Sequence, residues 1–380
     1  MNSEEAIKFK ESADKIFQAP ARINLIGEHI DYNGGMVLPA AISLRTRVKF
    51  RLRDDDLIIL DSDNTKHHVE RKLGDLAYDK KYGWANYPIG VLDRLIKRGF
   101  KIDKGFEAHY DSNIPLGSGL SSSASILVLT CFALNQEFNL DINNKDIALI
   151  AQEAEVKYCG LSCGIMDEAI IALGKKNNAI ILDCAKFDYE YIPIDFKDYT
   201  IAVLQTNKKR ALTESKYNER VSECNKAMEL LKNDYKISNL CELKSTDLDK
   251  VEKIINDEVI FRRVRHVVKE NERVYSFKDA LIKNDLVKLG KLLNESHESL
   301  KNDYETSGIH LDTIVSYAQK YKDCLGARMT GAGFGGCAIA LVKKSSFEDF
   351  KEYVLKNYLN DTKIEADIYL VDIDQGPRKI

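Results

Sequence analysis

The chain has 380 residues, 44% of them hydrophobic, with 56 basic against 59 acidic residues and a net charge of −3. That length suits two domains with cores of their own, and the even charge balance excludes an electrostatic surface for nucleic acid. No run of about twenty apolar residues exists to span a membrane; the polar start MNSEEAIKFKESADK has no apolar signal region, so a cytoplasmic protein is expected.

In chain order, the first notable segment is Ala19–Ile42, APARINLIGEHIDYNGGMVLPAAI. It sets Arg22, Glu28, His29, Asp31 and Tyr32 among helix breakers and the apolar Ile23, Leu25 and Ile26. Buried charge is costly unless paired, and a plain surface loop needs no such apolar residues. The mixture predicts a partly buried loop that holds polar groups against a polar ligand. Glu, His and Asp together can bind several hydroxyls, as on a sugar; a capped turn with solvated charges is the alternative. From Ile42 to Leu52 apolar and polar residues alternate strictly, the mark of a half-buried strand with a solvated basic face. LIILDSD and FEAHY read as further strands, and Tyr87–Arg98 as a helix.

Pro115–Ser125, PLGSGLSSSAS, follows FEAHY and opens the apolar helical run Ser122–Phe138. Gly117 and Gly119 permit close backbone approach. Ser121, Ser122 and Ser123 stand where a helix begins and its amides lack partners, a place that attracts phosphate. A serine-capped helix after a flexible loop is the plainer reading. A second helix is expected over Lys145–Tyr158, then strands at Ala179–Asp183 and Thr200–Thr206, mostly helix from Thr213 to Lys322, and a final strand in KIEADIYLVDI. Met329–Leu341, MTGAGFGGCAIAL, contains G-x-G-x-x-G at Gly331, Gly333 and Gly336. These glycines precede a strand instead of opening a helix, so the match is not a dinucleotide fingerprint. The eight cysteines are scattered; Cys159 and Cys163 come nearest a motif but have no Cys-His partner set, and most are expected reduced and buried.

RINLIGEHIDYN, PLGSGLSSSAS and MTGAGFGGCAIAL, in this order and spacing, resemble the three signature motifs of the GHMP kinases, and within them those of galactokinases. CGIMDE (163–168), TESKYNERVSEC (213–224) and SHESLKNDYETS (296–307) are similar too. The resemblance implies an α+β, two-domain fold of mixed sheets and helices, divided here at residues 1–190 and 191–380, with the active site between the domains. It implies transfer of phosphate from ATP to the C1 hydroxyl of α-D-galactose, with Mg²⁺ as cofactor and galactose and ATP as partners. An N-acetylgalactosamine kinase and a non-catalytic regulator that binds galactose and ATP are the alternatives. The oligomeric state stays open, a monomer included.

By the same resemblance Asp167 is the catalytic base or orienting group, and Arg22 pairs with it and steadies the transferring phosphoryl group. Glu28, His29, Ile30, Asp31, Gly164 and Tyr217 correspond to the sugar site. Gly117, Ser118, Gly119, Leu120, Ser121, Ser122 and Ser123 correspond to the ATP site, with Ser62 as a further contact. Ser123 and Glu155 correspond to the Mg²⁺ ligands, and hard oxygen donors suit that ion. On residue type alone, Asp167 is a helix cap, Glu155 a solvated helix residue and Tyr217 a core aromatic. The chain departs from the family pattern where Ala21 replaces a glycine, where Ile30 replaces a threonine, and in GIHLD (308–312) against CPELD, which puts His310 where a glutamate is usual. Ile30 matches relatives that phosphorylate N-acetylgalactosamine.

Overall fold

The computed structural model describes residues 15–65, 67–161, 163–208 and 213–380, the side chains of 213 and 214 excepted. Its largest sheet runs in the order Arg378–Lys379, Lys15–Asn24, Pro39–Leu52, Phe106–Ser112, Leu57–Ser62 and Val69–Lys72. All pairings are antiparallel except that of Leu57–Ser62 with Phe106–Ser112. Along Pro39–Leu52 the expected alternation holds: Leu44, Thr46, Val48 and Phe50 are buried, and Arg47 is exposed. The helix Ser122–Phe138 buries Leu127, Val128, Cys131 and Leu134 against this sheet. Its residues are apolar on nearly every side, as a helix enclosed on all faces requires.

A second sheet orders Cys324–Met329, Cys337–Lys343, Tyr199–Gln205 and Asp367–Val371. Helices Leu286–Asn302 and Ile309–Lys320 pack on it. Their close approach depends on glycine: a Cβ on Gly290 would lie 2.2 Å from the Leu325 carbonyl oxygen, and one on Gly326 would lie 2.1 Å from that of Gly290. A small third sheet joins Met36–Val37, Asn178–Asp183 and Asp188–Pro193. Among the described residues no helix is long and apolar enough to cross a membrane.

Three expectations change. Ala19–Asn24 is not loop but the end of the strand Lys15–Asn24, buried from Phe17 onward. A register shift between Pro20 and Ala21 accommodates the proline, and Arg22 is tolerated inside because it is paired. The chain's last strand is Arg378–Lys379, too short to show a pattern, which returns to pair with Phe17 and Gln18. The helix expected over Lys145–Tyr158 is α-helical over Asn144–Glu153 and then widens into a π-turn over Ala154–Tyr158 that carries Glu155. Such π segments recur at functional sites.

Candidate active site

A cavity of about 370 Å³ is walled by Arg22, Glu28, His29, Asp31, Glu155, Leu161, Cys163, Gly164, Met166, Asp167, Tyr217, Asn218, Gly331 and Ala332. The first motif and the glycine-rich segment at Gly331 and Ala332 meet around it, and its volume is that of a small-molecule site.

Arg22 reaches it from the strand Lys15–Asn24, and Asp167 from the first turn of the helix Met166–Leu173. Arg22 Nε donates to Asp167 Oδ1 and Nη2 to Oδ2, each at 2.7 Å, while Nη1 donates to the Gly119 carbonyl at 2.7 Å. This two-pronged geometry is the strong form of an ion pair. Burial disfavours the Arg22 charge, but the facing Asp167 carboxylate more than offsets it and holds the guanidinium above its ordinary value. The Ser121 hydroxyl also donates to Asp167 Oδ2. Asp167 nonetheless keeps 30% side-chain exposure, so its carboxylate faces the cavity.

The glycine-serine loop supports this centre from behind. Gly117, Gly119 and Ser121 have φ of 68°, 78° and 62°, and no side chain caps the helix that starts at Ser122. No side chain thus satisfies the amides of that helix start. Leu120 is buried, and its carbonyl accepts from the Arg22 amide at 3.3 Å. Ser118 is buried, its hydroxyl accepting from the Leu120 amide at 3.3 Å. None of Gly117 through Ser123 lines the cavity, nor does Ser62, whose hydroxyl ends its strand by accepting from the Asn64 amide at 3.1 Å.

Among the sugar candidates, Asp31, Gly164 and Tyr217 line the cavity. Burial pushes the Asp31 carboxyl up to about 6. Gly164 lies so close that a Cβ there would meet Asp31 Oδ2 at 2.8 Å. His29 also lines it, but both ring nitrogens are engaged: Nε2 at 3.1 Å from the Ala332 carbonyl and Nδ1 at 2.9 Å from Tyr32 Oη. A carbonyl can only accept, so Nε2 carries the hydrogen and Nδ1 accepts from Tyr32. Burial, then the neighbouring His266, lowers His29 to about 3, so the ring is neutral at physiological pH. Glu28 is likewise engaged: Oε1 accepts from the Gly331 amide at 2.7 Å and pairs with Arg328 at 3.0 Å, and Oε2 accepts from Asn24 at 2.8 Å. Ile30 does not line the cavity; it is fully buried behind Gly35, where its apolar side chain belongs.

Glu155 and Cys163 complete one wall, with Glu168 buried beside them. Burial, then the hydrogen bond and charge of the facing Glu155 carboxylate, hold the Glu168 carboxyl well above its ordinary range. Burial, then Glu168 and Glu155, pushes the Cys163 thiol up. Ser123 stands in the first turn of the helix Ser122–Phe138.

Sequence reasoning placed Tyr32 in the polar loop but gave no site role to Cys163, Glu168 or Tyr304. Tyr32 and Tyr304 link His29 to Cys224 through hydroxyl contacts of 2.8 and 3.2 Å. Tyr32 stands within the charged segment itself; Tyr304 lies in SHESLKNDYETS, whose likeness to the family marked the segment but not this residue. Of the departures from pattern, Ala21 is buried in its strand, and His310 Nδ1 lies 3.3 Å from Tyr358 Oη, away from the cavity.

The galactokinase galactose-binding signature matches residues 7–52. The GHMP kinases N terminal domain matches residues 86–175, and GHMP kinases C terminal matches residues 277–360. A galactokinase of Clostridium beijerinckii is 46% identical over 98% of this chain and 96% of its own length, and one of Staphylococcus carnosus is 45% identical over 95% and 94%. The crystal structure of Lactococcus lactis galactokinase complexed with galactose superposes with a TM-score of 0.94 at 41% identity, covering 100% of this chain and 98% of that one. Mevalonate kinase of Methanococcus jannaschii, at 22% identity and a TM-score of 0.68, shares the fold. With relatives this similar over nearly their whole length, the chain belongs to the galactokinase family and has the two-part GHMP kinase fold.

Proposed function

We propose that this chain transfers the γ-phosphoryl group of ATP to the C1 hydroxyl of α-D-galactose, giving galactose 1-phosphate and ADP. The observation that carries this reading is the two-pronged Arg22–Asp167 pair, open to a sugar-sized cavity and flanked by the uncapped start of the helix Ser122–Phe138. A kinase must hold a hydroxyl in line with the γ-phosphate and neutralise the charge that develops there. Asp167 accepts or orients the C1 hydroxyl proton as the oxygen attacks phosphorus. Arg22 holds that carboxylate in place and stands beside the transferring group. Asp31, Tyr217 and the backbone at Gly164 hold the sugar hydroxyls, while His29 and Glu28 shape the wall. Phosphates lie against the glycine-serine loop.

Mg²⁺ suits the donor set here, because the buried Glu155 carboxylate lines the cavity and is a hard oxygen ligand of the kind that ion prefers. Ser123 and Glu155 would hold it, and the bound ion would neutralise phosphate charge. The two halves of the chain, 1–190 and 191–380, are proposed as the folding domains that bring these groups together.

A coupled ATP-consumption assay over a panel of sugars tests the reading. Galactose is expected to drive ADP release. Glucose, which differs at C4, is expected to be poorer by ~10⁴-fold, because a site built to bind one hydroxyl rejects an analogue that leaves its groups unpaired. No sugar-dependent ADP would leave only a binding protein. A higher kcat/KM for N-acetylgalactosamine would overturn the choice of galactose.

A further inference from the structure

The helix Glu258–Ile282 buries polar groups where such a helix usually buries apolar ones. Arg263, His266 and Glu270 stand at i, i+3 and i+7, on one face, and all three are buried. Arg263 turns to Glu223 and Glu305. The other two meet the first motif. His266 Nε2 lies 3.1 Å from the Glu28 carbonyl oxygen, and Glu270 Oε1 accepts from the Gly27 amide at 2.9 Å. Gly27 also packs closely on this helix: a Cβ there would lie 3.0 Å from Val274 Cγ2.

The segment held in this way is strained. His29 has φ 63°, a left-handed conformation that a side chain adopts at a cost. Such a residue persists where its surroundings over-determine it. Before His29 the Gly27 amide and the Glu28 carbonyl are tied to the helix, and after it the His29 carbonyl accepts from Asn33 Nδ2 at 3.0 Å. The His266 ring is fixed in turn. Burial lowers it to about 4, so it is neutral at physiological pH. A carbonyl only accepts, so Nε2 carries the hydrogen and Nδ1 accepts. Ser299 Oγ stands 2.9 Å from Nδ1 and 3.2 Å from Asp303 Oδ2, and the shorter contact takes its hydrogen. Glu270 is fixed by the Ser296 hydroxyl at 2.8 Å and by Arg273 Nε at 2.7 Å.

We propose that His266 and Glu270 are positioning residues for sugar binding, which hold the turn Gly27–His29 from behind in the conformation that sets His29 and Asp31 in the cavity wall. Neither lines the cavity. Without its tie the turn relaxes out of the strained state, and only a fraction of the free molecules keeps a formed wall. The apparent dissociation constant of a ligand rises as that competent fraction falls. Saturating galactose draws the turn back, so KM for the sugar bears the loss and kcat does not. Neither residue bonds the glycine-serine loop, so KM for ATP stays as it is. The inference rests on the sugar kinase reading and adds residues that reading does not use.

Initial-rate kinetics on the full chain, with galactose and ATP varied in turn, test it. His266→Phe fills similar space and removes the donor. Its KM for galactose is expected to rise about 10-fold, in keeping with one buried hydrogen bond lost, with kcat and KM for ATP held. His266→Gln, whose amide nitrogen reaches the place of Nε2, should recover most of the sugar KM. Val354→Ala, fully buried in the helix Phe347–Thr362 and no part of the cavity wall, is the control for stability alone. A protein weakened by such a void loses active molecules, which lowers the maximal rate and leaves KM unmoved. If His266→Phe does not fold, Ser299→Ala decides in its place, because it removes the donor that fixes the His266 ring; its sugar KM should rise by a smaller factor. An unchanged sugar KM in the deciding variant, a fall in kcat alone, or a KM that stays high in His266→Gln overturns the positioning role. A wild type without galactose-dependent turnover would overturn the sugar reading, and this inference with it, so the two failures are told apart by the wild type.

Discussion

Arg22 and Asp167 are joined by two parallel bonds of 2.7 Å, and the proposed mechanism uses them as one unit. Asp167→Asn keeps the shape and removes the acceptor charge, so turnover is expected to fall by ~10²–10⁴-fold, the usual contribution of general-base catalysis. Arg22→Ala should cost a similar factor, and the double variant little more than either single one, because residues that act together lose their effect together. Single-turnover kinetics on the three variants check this; near-normal turnover of Asp167→Asn would refute the role. Asp31 answers to pH. Burial raises its carboxyl to about 6, above the ordinary value of 3.8 that the unfolded chain retains. The folded protein thus holds this proton as pH rises past 3.8, and stability is lost between there and about 6. At pH 7 Asp31→Asn is expected to be more stable than the wild type by of order 1 kcal/mol, with water in the cavity screening the rest. Wild-type kcat/KM should fall as pH drops through about 6, because only the ionised group accepts from two sugar hydroxyls; the residual activity of Asp31→Asn should show no such step. A melt in which Asp31→Asn is the less stable protein at pH 7 would contradict the assigned burial cost.

At the scale of elements, the start of the helix Ser122–Phe138 carries a left-handed residue, Ser121, at φ 62° and ψ 50°. A side chain in that conformation costs roughly 1–2 kcal/mol, which glycine escapes. The same serine bonds Asp167 through its hydroxyl. Ser121→Ala keeps the strain and loses the bond; Ser121→Gly loses both. Glycine should therefore give the more stable variant by about 1 kcal/mol in denaturant unfolding, while both variants lose turnover alike. Equal stability would mean that the backbone stores no strain there. The helix itself was legible because seventeen residues of apolar sequence follow a glycine-serine turn, and its bounds match the pattern. The alternation of Pro39–Leu52 was legible for the same reason: period two has one explanation. The strand Lys15–Asn24 was not, because it is buried on both faces and so shows no alternation, and its proline and arginine read as loop. The π-turn at Ala154–Tyr158 leaves the same apolar spacing as the end of a helix and is invisible in sequence.

Over the whole molecule, the site depends on how the two larger sheets are joined. Arg328, on the strand Cys324–Met329 of the second sheet, is fully buried and crosses to the first motif. Its Nη1 donates to the carbonyls of Leu25 at 2.8 Å and Asn24 at 3.2 Å, and its Nη2 pairs with Glu28 Oε1 at 3.0 Å. Nearby, the Thr330 hydroxyl and the Asn24 backbone exchange contacts of 3.0 Å. Sequence placed Glu28 at the sugar by its cluster with His29 and Asp31 and by the family resemblance; its partner Arg328 lies far along the chain, and no local pattern reports such a pairing. A buried pair adds little over a well-packed apolar pair, but removing one partner leaves a charge stranded. Arg328→Met fills similar space and strands Glu28, which keeps only the Gly331 amide and Asn24 as partners. The expected loss is ~3–5 kcal/mol of unfolding free energy. Arg328→Met with Glu28→Gln should recover part of it, because the stranded charge is gone. If Glu28 serves the fold more than the sugar, the double variant should also bind galactose more tightly than Arg328→Met alone, read by calorimetric titration. A single variant as stable as the wild type would show that the two sheets are held together without this pair.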